Sequence, residues 1–585
     1  MRYYFELEYI PMFRNSDKHS QLNLLSTPTS FLTGTSLREY EDNKGWHNQF
    51  YTQVTQRIDE ELFRPLFCKD NGAPNSSIRV LVGMMILKEG QGLSDAKLFE
   101  ECRFNLLTRR SLGLFNMDDS LPAISTYYLL RKRIVEWEKA GNDNLIEKAF
   151  AQVTNSQAIE FQVNGKKIRM DSKLLGSNIA WYSRYELVHE TLRQAYPSIR
   201  SSVSQISLSA SELQLLESIM DESGDKVVFR SSKEEVESKM AVMGRLIYNI
   251  IRSMNDPLSE AMQTLCRVFH DQYQCIEDED GKDNGNDRAR SVLPRSKEEI
   301  SAQSVQSPHD TECHYRNKDG NQVKGYSVNL TETCDDSQAL NLITNVLVDV
   351  VSTADCAFLQ PAIEATQAVI TQQIETVNAD GAYNSVHNQD YCKGESIDLI
   401  VSAIQGKPSR YDLSLDEDGG LTVIDLQTNE IIHSRKIESR KNNDQPKWCI
   451  KNDKGKNRYF TQKEIDSCLL RKQTAARTQA ELNVRNNVEA AIFQLGYHYP
   501  NDKSRYRGLS KHKIWANVRC LWINFVRIIN FIARSGSNYV QKIKNGLNFS
   551  QFLLKFVEVV FVLFTVGHFY PTVQNNGRWT GSNRF

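Results

Sequence analysis

The sequence predicts a mixed α/β protein. A mixed sheet with flanking helices forms its core, an all-helical domain precedes it, and one helical and one β-rich insertion interrupt it. Three observations carry this. Residues 46–155 repeat apolar side chains at helical spacing, as in HNQFYTQVTQRIDEELFRPLF and IRVLVGMMILKEG. Between 323 and 403 the pattern changes to runs of β-branched and apolar residues, VKGYSVNLTETC, LITNVLVDVVS, TVNAD and IDLIVSA, with a helix expected at 355–373. Residues 184–305 are helical in pattern (ELQLLESIM, SKMAVMGRLIYNIIRSM), and residues 406–465 are polar with short strands (LTVIDL, EIIHSRKI).

The expected order follows. Residues 1–45 form an N-terminal extension, 46–155 a helical domain, 156–535 a core with insertions at 184–305 and 406–465, and 536–585 a tail. Ser94 caps a helix in the helical domain. IEFQVNGKKIRMDS carries a turn at Asn164-Gly165 and predicts a hairpin. A helix is expected from about 470 to 495. The most apolar window, FVEVVFVLFTVGHFY, has an uncharged run of only Val559–Gly567. A spanning helix needs ~20 residues, so a buried or partner-covered element is expected there. The first residues, MRYYFELEYIPMFRN, contain Glu6 and Glu8 and do not read as a secretory signal.

Lys and Arg total 71 against 72 Asp and Glu, a formal charge of −1, which excludes a uniformly basic coat and an acidic disordered chain. The balance hides local asymmetry. From Lys503 to Lys544 there are ten Lys and Arg and no acid, and the loop CIEDEDGKDNGNDRARS is acidic at its start. Trp515, Trp522 and Phe525 interleave with the basic residues at helical spacing and read as core. Eleven cysteines with no C-x-x-C predict reduced cytosolic thiols and no closed zinc site. His189, His270, His314 and His387 lack partner spacing and read as structural.

No phosphate-cradling G-x-x-x-x-G-K-[ST], dinucleotide G-x-G-x-x-G or H-E-x-x-H is present. What remains is Asp171 closing the strand IRMDS, Asp380 closing TVNAD, and Glu489 in RNNVEAAIFQL. Carboxylates from two strand ends and a helix can converge at one end of a sheet. Hard divalent cations such as Mg²⁺ prefer such oxygen donors together with water and phosphate, and two such ions serve phosphodiester chemistry.

In these segments, and in their order, the chain resembles bacterial insertion-sequence transposases of the DDE class. IRVLVGMMILKEGQGLSDAKLFEECRFNLLTRRSLGL and LPAISTYYLLRKRI are similar to their helical N-terminal domain. IRMDSKLLGSNIAWYSRYE, SPHDTECHYRNKDGNQVKGYSVNLTETC, VNADGAYNS and RNNVEAAIFQL with SRYRGLSKHKIWANVRCLWINFVRI are similar to successive pieces of their catalytic core. The resemblance implies an RNase H-like core in which Asp171, Asp380 and Glu489 are catalytic and hold two Mg²⁺ or Mn²⁺ ions, with Tyr383 in support. It implies binding of terminal inverted repeats and target DNA, strand cleavage and strand transfer, a homodimer or higher oligomer when two ends pair, and a cytoplasmic, nucleoid-associated bacterial protein. Arg485 falls one turn before Glu489 and can orient it or contact phosphate. Candidate DNA contacts are Arg109, Arg110, Arg131, Arg133, Arg485, Lys503, Arg505, Arg507, Lys511 and Lys513. The chain departs from the family where its signature would place Tyr at Leu482 and Lys at Gly496, and its second-Asp turn reads Asp380-Gly-Ala-Tyr. A stand-alone nuclease or resolvase and a non-catalytic DNA-binding protein are the alternatives.

Overall fold

The computed structural model describes residues 13, 15, 26–68, 74–202, 208–253, 259–277, 290–318, 320–335, 340–402, 409–416, 419–437, 447–451 and 455–544. Seven helices come first: α1 (Gly34–Glu41), α2 (Trp46–Gln53), α3 (Ile78–Gln91), α4 (Asp95–Phe104), α5 (Leu106–Ser111), α6 (Ile124–Lys139) and α7 (Leu145–Glu160). α3 is capped by Ser77, which accepts from the Val80 N–H, and stops at Gly92 in the left-handed conformation. Between those ends it is buried almost throughout, as its continuous apolar run requires. Ser94 caps α4 as expected.

Next come β1 (Lys167–Gly176), then α8 (Arg184–Ser201), α9 (Ala210–Asp221), α10 (Gly224–Arg230), α11 (Lys233–Ser253) and α12 (Glu260–Gln272). The hairpin β2 (Tyr273–Glu277) and β3 (Arg290–Pro294) follows. The region expected to be helical over 184–305 thus ends in strands, and it has its own core around Val188, Leu192, Met243, Ile247 and Leu265.

β4 (His314–Lys318), β5 (Asn321–Thr333) and β6 (Ile343–Val350) return to the main sheet, followed by α13 (Leu359–Ile370), β7 (Thr376–Ala379), α14 (Val386–Gly394) and β8 (Asp398–Val401). The sheet runs β4-β5-β1-β7-β8, with β6 also on β5. β1 is antiparallel to β5 and parallel to β7, and β7 is parallel to β8. Parallel neighbours require crossovers, and α13 and α14 occupy those connections. One sheet face packs Ile168, Met170 and Val377 with Ile363 and Tyr383. Leu175, Val328 and Val346 join the helical domain and the last helix in one continuous core.

The β-rich insertion is two three-stranded sheets, one of β9 (Tyr411–Leu415), β10 (Leu421–Asp425) and β11 (Ile431–His433), the other of β12 (Arg435–Ile437), β13 (Lys447–Lys451) and β14 (Asn457–Thr461). Leu413, Val423, Trp448 and Phe460 form its core. The chain ends, within the described residues, in α15 (Gln462–Ala476), α16 (Gln479–Asn483), α17 (Val488–Gly496) and α18 (Leu509–Lys544).

Three expectations are corrected. The hairpin at Asn164-Gly165 does not form: α7 continues to Glu160 because Ala149, Phe150, Val153 and Gln157 keep its helical face buried, and β1 pairs instead with the distant β5 and β7. The single helix expected over 470–495 is three helices, broken at Arg477, whose ψ of 146° is extended, and restarted by the Thr478 capping box. α18 runs through the expected boundary at 535. The apolar window Val559–Gly567 lies outside the described residues. Among the described residues no helix is long and apolar enough to cross a membrane. Trp515 and Phe525 are buried, as their spacing implied.

Candidate active site and basic surface

β1 lies between β5 and β7 in the sheet and alternates its side chains between two surroundings. Arg169, Asp171 and Lys173 face the segment that carries residues 484–502, where they meet the Val484 carbonyl, Arg485 and Asp502. Ser172 faces the opposite side and donates to Asp355 Oδ1 at 2.6 Å. Asp171 is held at both oxygens: the Ser172 N–H donates to Oδ1 at 2.9 Å, and Arg485 Nη2 donates to Oδ2 at 2.6 Å. Burial pushes the Asp171 carboxyl above the ordinary carboxylate range, Arg485 opposes that shift, and the charge of Asp380 adds to it.

Asp380 ends β7. The pairing of Arg169 with Asn378, continued by two residues, brings Asp380 level with Asp171. Its side chain caps the short turn Gly381–Tyr383, accepting from the Ala382 N–H at 2.5 Å. That turn buries Tyr383 completely, and the Tyr383 hydroxyl accepts from Asn329 Nδ2 at 2.5 Å. Burial and the nearby Asp171, Asp355 and Asp380 push the Tyr383 phenol well above its usual range, so it stays protonated. Glu489 is the second residue of α17, 65% exposed, with Oε1 3.8 Å from Arg485 Nη1. Arg485 therefore stands between Asp171 and Glu489 and neutralises both in part.

Among the described residues no three of His, Cys, Asp and Glu close into a metal cage. Asp171 and Asp380 are neighbours, and Glu489 is set apart from Asp171 by one guanidinium. An open set of carboxylate oxygens is the chemistry that suits Mg²⁺, which keeps waters and substrate phosphates among its ligands rather than entering an all-protein cage.

Two contributors were not singled out from the sequence. Asp355 is buried, clamps Ser172, and lies 3.7 Å from Arg316. Asn388 donates to the carbonyls of both Cys356 and Tyr383, tying the Asp355 turn to the Asp380 turn. The second contributor is Lys173. A Cβ added to Gly496 would lie 3.2 Å from Lys173 Nζ. A cation thus occupies the space beside the position where the signature lysine is missing, but it reaches there from β1. Its place two residues after Asp171 on the same strand face was the available signal.

The candidate DNA contacts divide. Arg109 is buried, and its guanidinium donates to the Asn116 and Asp119 carbonyls, each at 2.9 Å; this commits it to holding the α5–α6 connection, not to a ligand outside. Arg110 stacks over Tyr40 and donates to Asn48. Arg133 stacks over Phe67, and Lys513 pairs with Glu138 at 2.9 Å. Lys503 donates to the Ile179 carbonyl at 2.8 Å. Arg131, Arg505, Arg507 and Lys511 line a common groove.

Residues 38–133, covering α2 to most of α6, match the family described as a transposase domain (DUF772). That supports a transposase family for the chain. No curated protein and no solved structure matches it.

Proposed function

We propose that this protein is a DDE-type DNA transposase with an RNase H-like core, which binds the ends of an insertion sequence and catalyses metal-dependent strand cleavage and strand transfer. The observation that carries the reading is the placement of three acids. Asp171 lies on the strand paired on both edges, Asp380 ends its parallel neighbour, and Glu489 opens a helix packed on β1. The antiparallel β6-β5-β1 meander followed by parallel β7 and β8 agrees with it, as does the transposase-domain match at residues 38–133.

Asp171, Asp380 and Glu489 would hold the divalent ions. When bound, two such ions activate an attacking oxygen and stabilise a leaving one in phosphodiester displacement. The chain's own residues do the rest. Ser172 and Arg485 fix the two oxygens of Asp171. Tyr383 and Asn388 fix the turn that carries Asp380. Arg485 supplies positive charge beside the carboxylates for the phosphate that must approach them, and Lys173, two residues after Asp171, is paired with Asp502. Pairing of two element ends calls for two or more protomers. Asp171→Asn, Asp380→Asn and Glu489→Gln should each abolish strand cleavage and strand transfer while leaving DNA binding within about twofold of the wild type. Retained cleavage in any one variant would remove that residue from the catalytic set.

A further inference from the structure

Among the described residues a charged concavity outside the carboxylate site lies between α6 and the start of α18. It has a volume of about 1000 Å³, at the upper end of small-molecule pockets, and its lining mixes cations with apolar side chains such as Met85, Val135 and Ile514. Lys132 and Lys139 of α6 stand on one side, and Arg505, Arg507 and Lys511 on the other; all five are exposed. The acids in the groove are already engaged. Glu89 accepts from the hydroxyls of Tyr499 and Tyr506. Asp95 pairs with Lys88 at 2.7 Å and accepts from Tyr128. Glu136 lies 3.5 Å from Lys132. Arg505 donates to the Gly92 and Leu93 carbonyls, and Arg507 to that of Asn178. Carbonyls satisfy donors without cancelling charge, so the groove keeps a positive excess on both walls.

β1 leads along the chain from the carboxylate site toward the groove. β1 runs from Asp171 past Lys173 to Gly176, whose backbone bridges to Lys503, and Asn178 lines the groove. Asp171 and Asn178 are seven residues apart, a reach of at most roughly 23 Å at ~3.3 Å per residue, no more than about seven nucleotides at ~3.4 Å per step. We infer that the groove holds the phosphodiester backbone of a DNA strand within about seven nucleotides of the phosphate at the carboxylates. The helical domain supplies one wall and the segment after α17 the other. This rests on the function proposed above and gives the DNA a path.

Fluorescence anisotropy of the full chain with a mixed-sequence 40-base-pair duplex (a probe length of about four turns), measured from low to moderate salt, tests it. K139Q/K511Q removes one cation from each wall. The slope of log K against log salt should fall by about 2, with affinity near 0.1 M salt reduced about tenfold or more. K139R/K511R should restore both, and K226Q/K233Q on the helical insertion should leave both unchanged. A groove variant with the slope of K226Q/K233Q, or a wild type that does not bind the duplex, overturns the inference. If the slope falls but the wild type shows no metal-dependent cleavage, the groove stands and the transposase reading alone fails.

Discussion

Arg485 decides the electrostatics of the site because it touches both Asp171 and Glu489. The Asp171 carboxyl sits above its ordinary range through burial, with Arg485 as the main opposing charge. A raised carboxyl pKa means that ionisation costs the folded state. The cost is absent below the unfolded-state value and present in full once pH exceeds the folded-state value. Arg485→Gln removes the opposing charge and raises the Asp171 pKa further. The acid limb of metal-dependent cleavage should then move to higher pH, and stability near neutrality should fall; a pH–rate profile with an unmoved limb would contradict this role. The proximity of Asp171, Asp380, Glu489 and Arg485 was legible in the sequence, because strand ends and a helical i,i+4 spacing mark them. Asp355 and Lys173 were not. Asp355 reaches Ser172 across 183 residues, and the relation of Lys173 to Gly496 exists only once β1 and α17 are packed. Arg109 was read as a surface cation because burial leaves no mark on an isolated Arg-Arg pair.

The helices after the β-rich insertion show how local chemistry sets the site. One unbroken helix over 470–495 would fix the direction of Glu489 by the path of α15. The chain instead stops at Arg477, restarts with the Thr478 capping box, and passes through the short turn Val484–Asn487 before α17. Thr478 and Glu481 satisfy each other's backbone N–H groups. Thr478→Ala should cost about 1 kcal/mol of local stability and increase hydrogen exchange in α16 while leaving the sheet protected; equal protection in α16 would contradict the assignment. The apolar periodicity of this region was readable, but its interruption was not, because Arg and Thr are ordinary helix-surface residues until tertiary packing selects the break. The false hairpin at Asn164-Gly165 has the same origin: a two-residue turn signal is local, whereas the partners of β1 lie about 160 and 210 residues away.

Across the whole molecule, α18 joins the helical domain to the mixed sheet. It packs on α3, α7 and β6, and Gly90 on α3 lets Trp522 approach where a Cβ would meet the indole at 2.1 Å. Arg519 donates to the Glu89 and Gly90 carbonyls and to Gln494. The buried Glu89 carboxylate receives Tyr499 and Tyr506 from the segment between α17 and α18. Glu89→Ala would leave these hydroxyls without that acceptor, at a cost of about 1–3 kcal/mol each when buried. Hydrogen-exchange protection should drop along both α3 and residues 499–506; unchanged protection would show that the two parts are held together elsewhere. The mixed α/β class was legible as changes of hydrophobic period, but the contact between residues 89 and 506 was not, since nothing local encodes it. The net charge of −1 likewise conceals a groove with cations on both walls. The most direct test of the central claim is strand nicking on duplex DNA carrying the element ends, titrated with Mg²⁺, in the wild type and in Asp380→Asn. Cleavage that saturates with Mg²⁺ in the wild type and vanishes in Asp380→Asn at unchanged DNA affinity is the expected result. Equal cleavage in both, or cleavage indifferent to the metal, would contradict it.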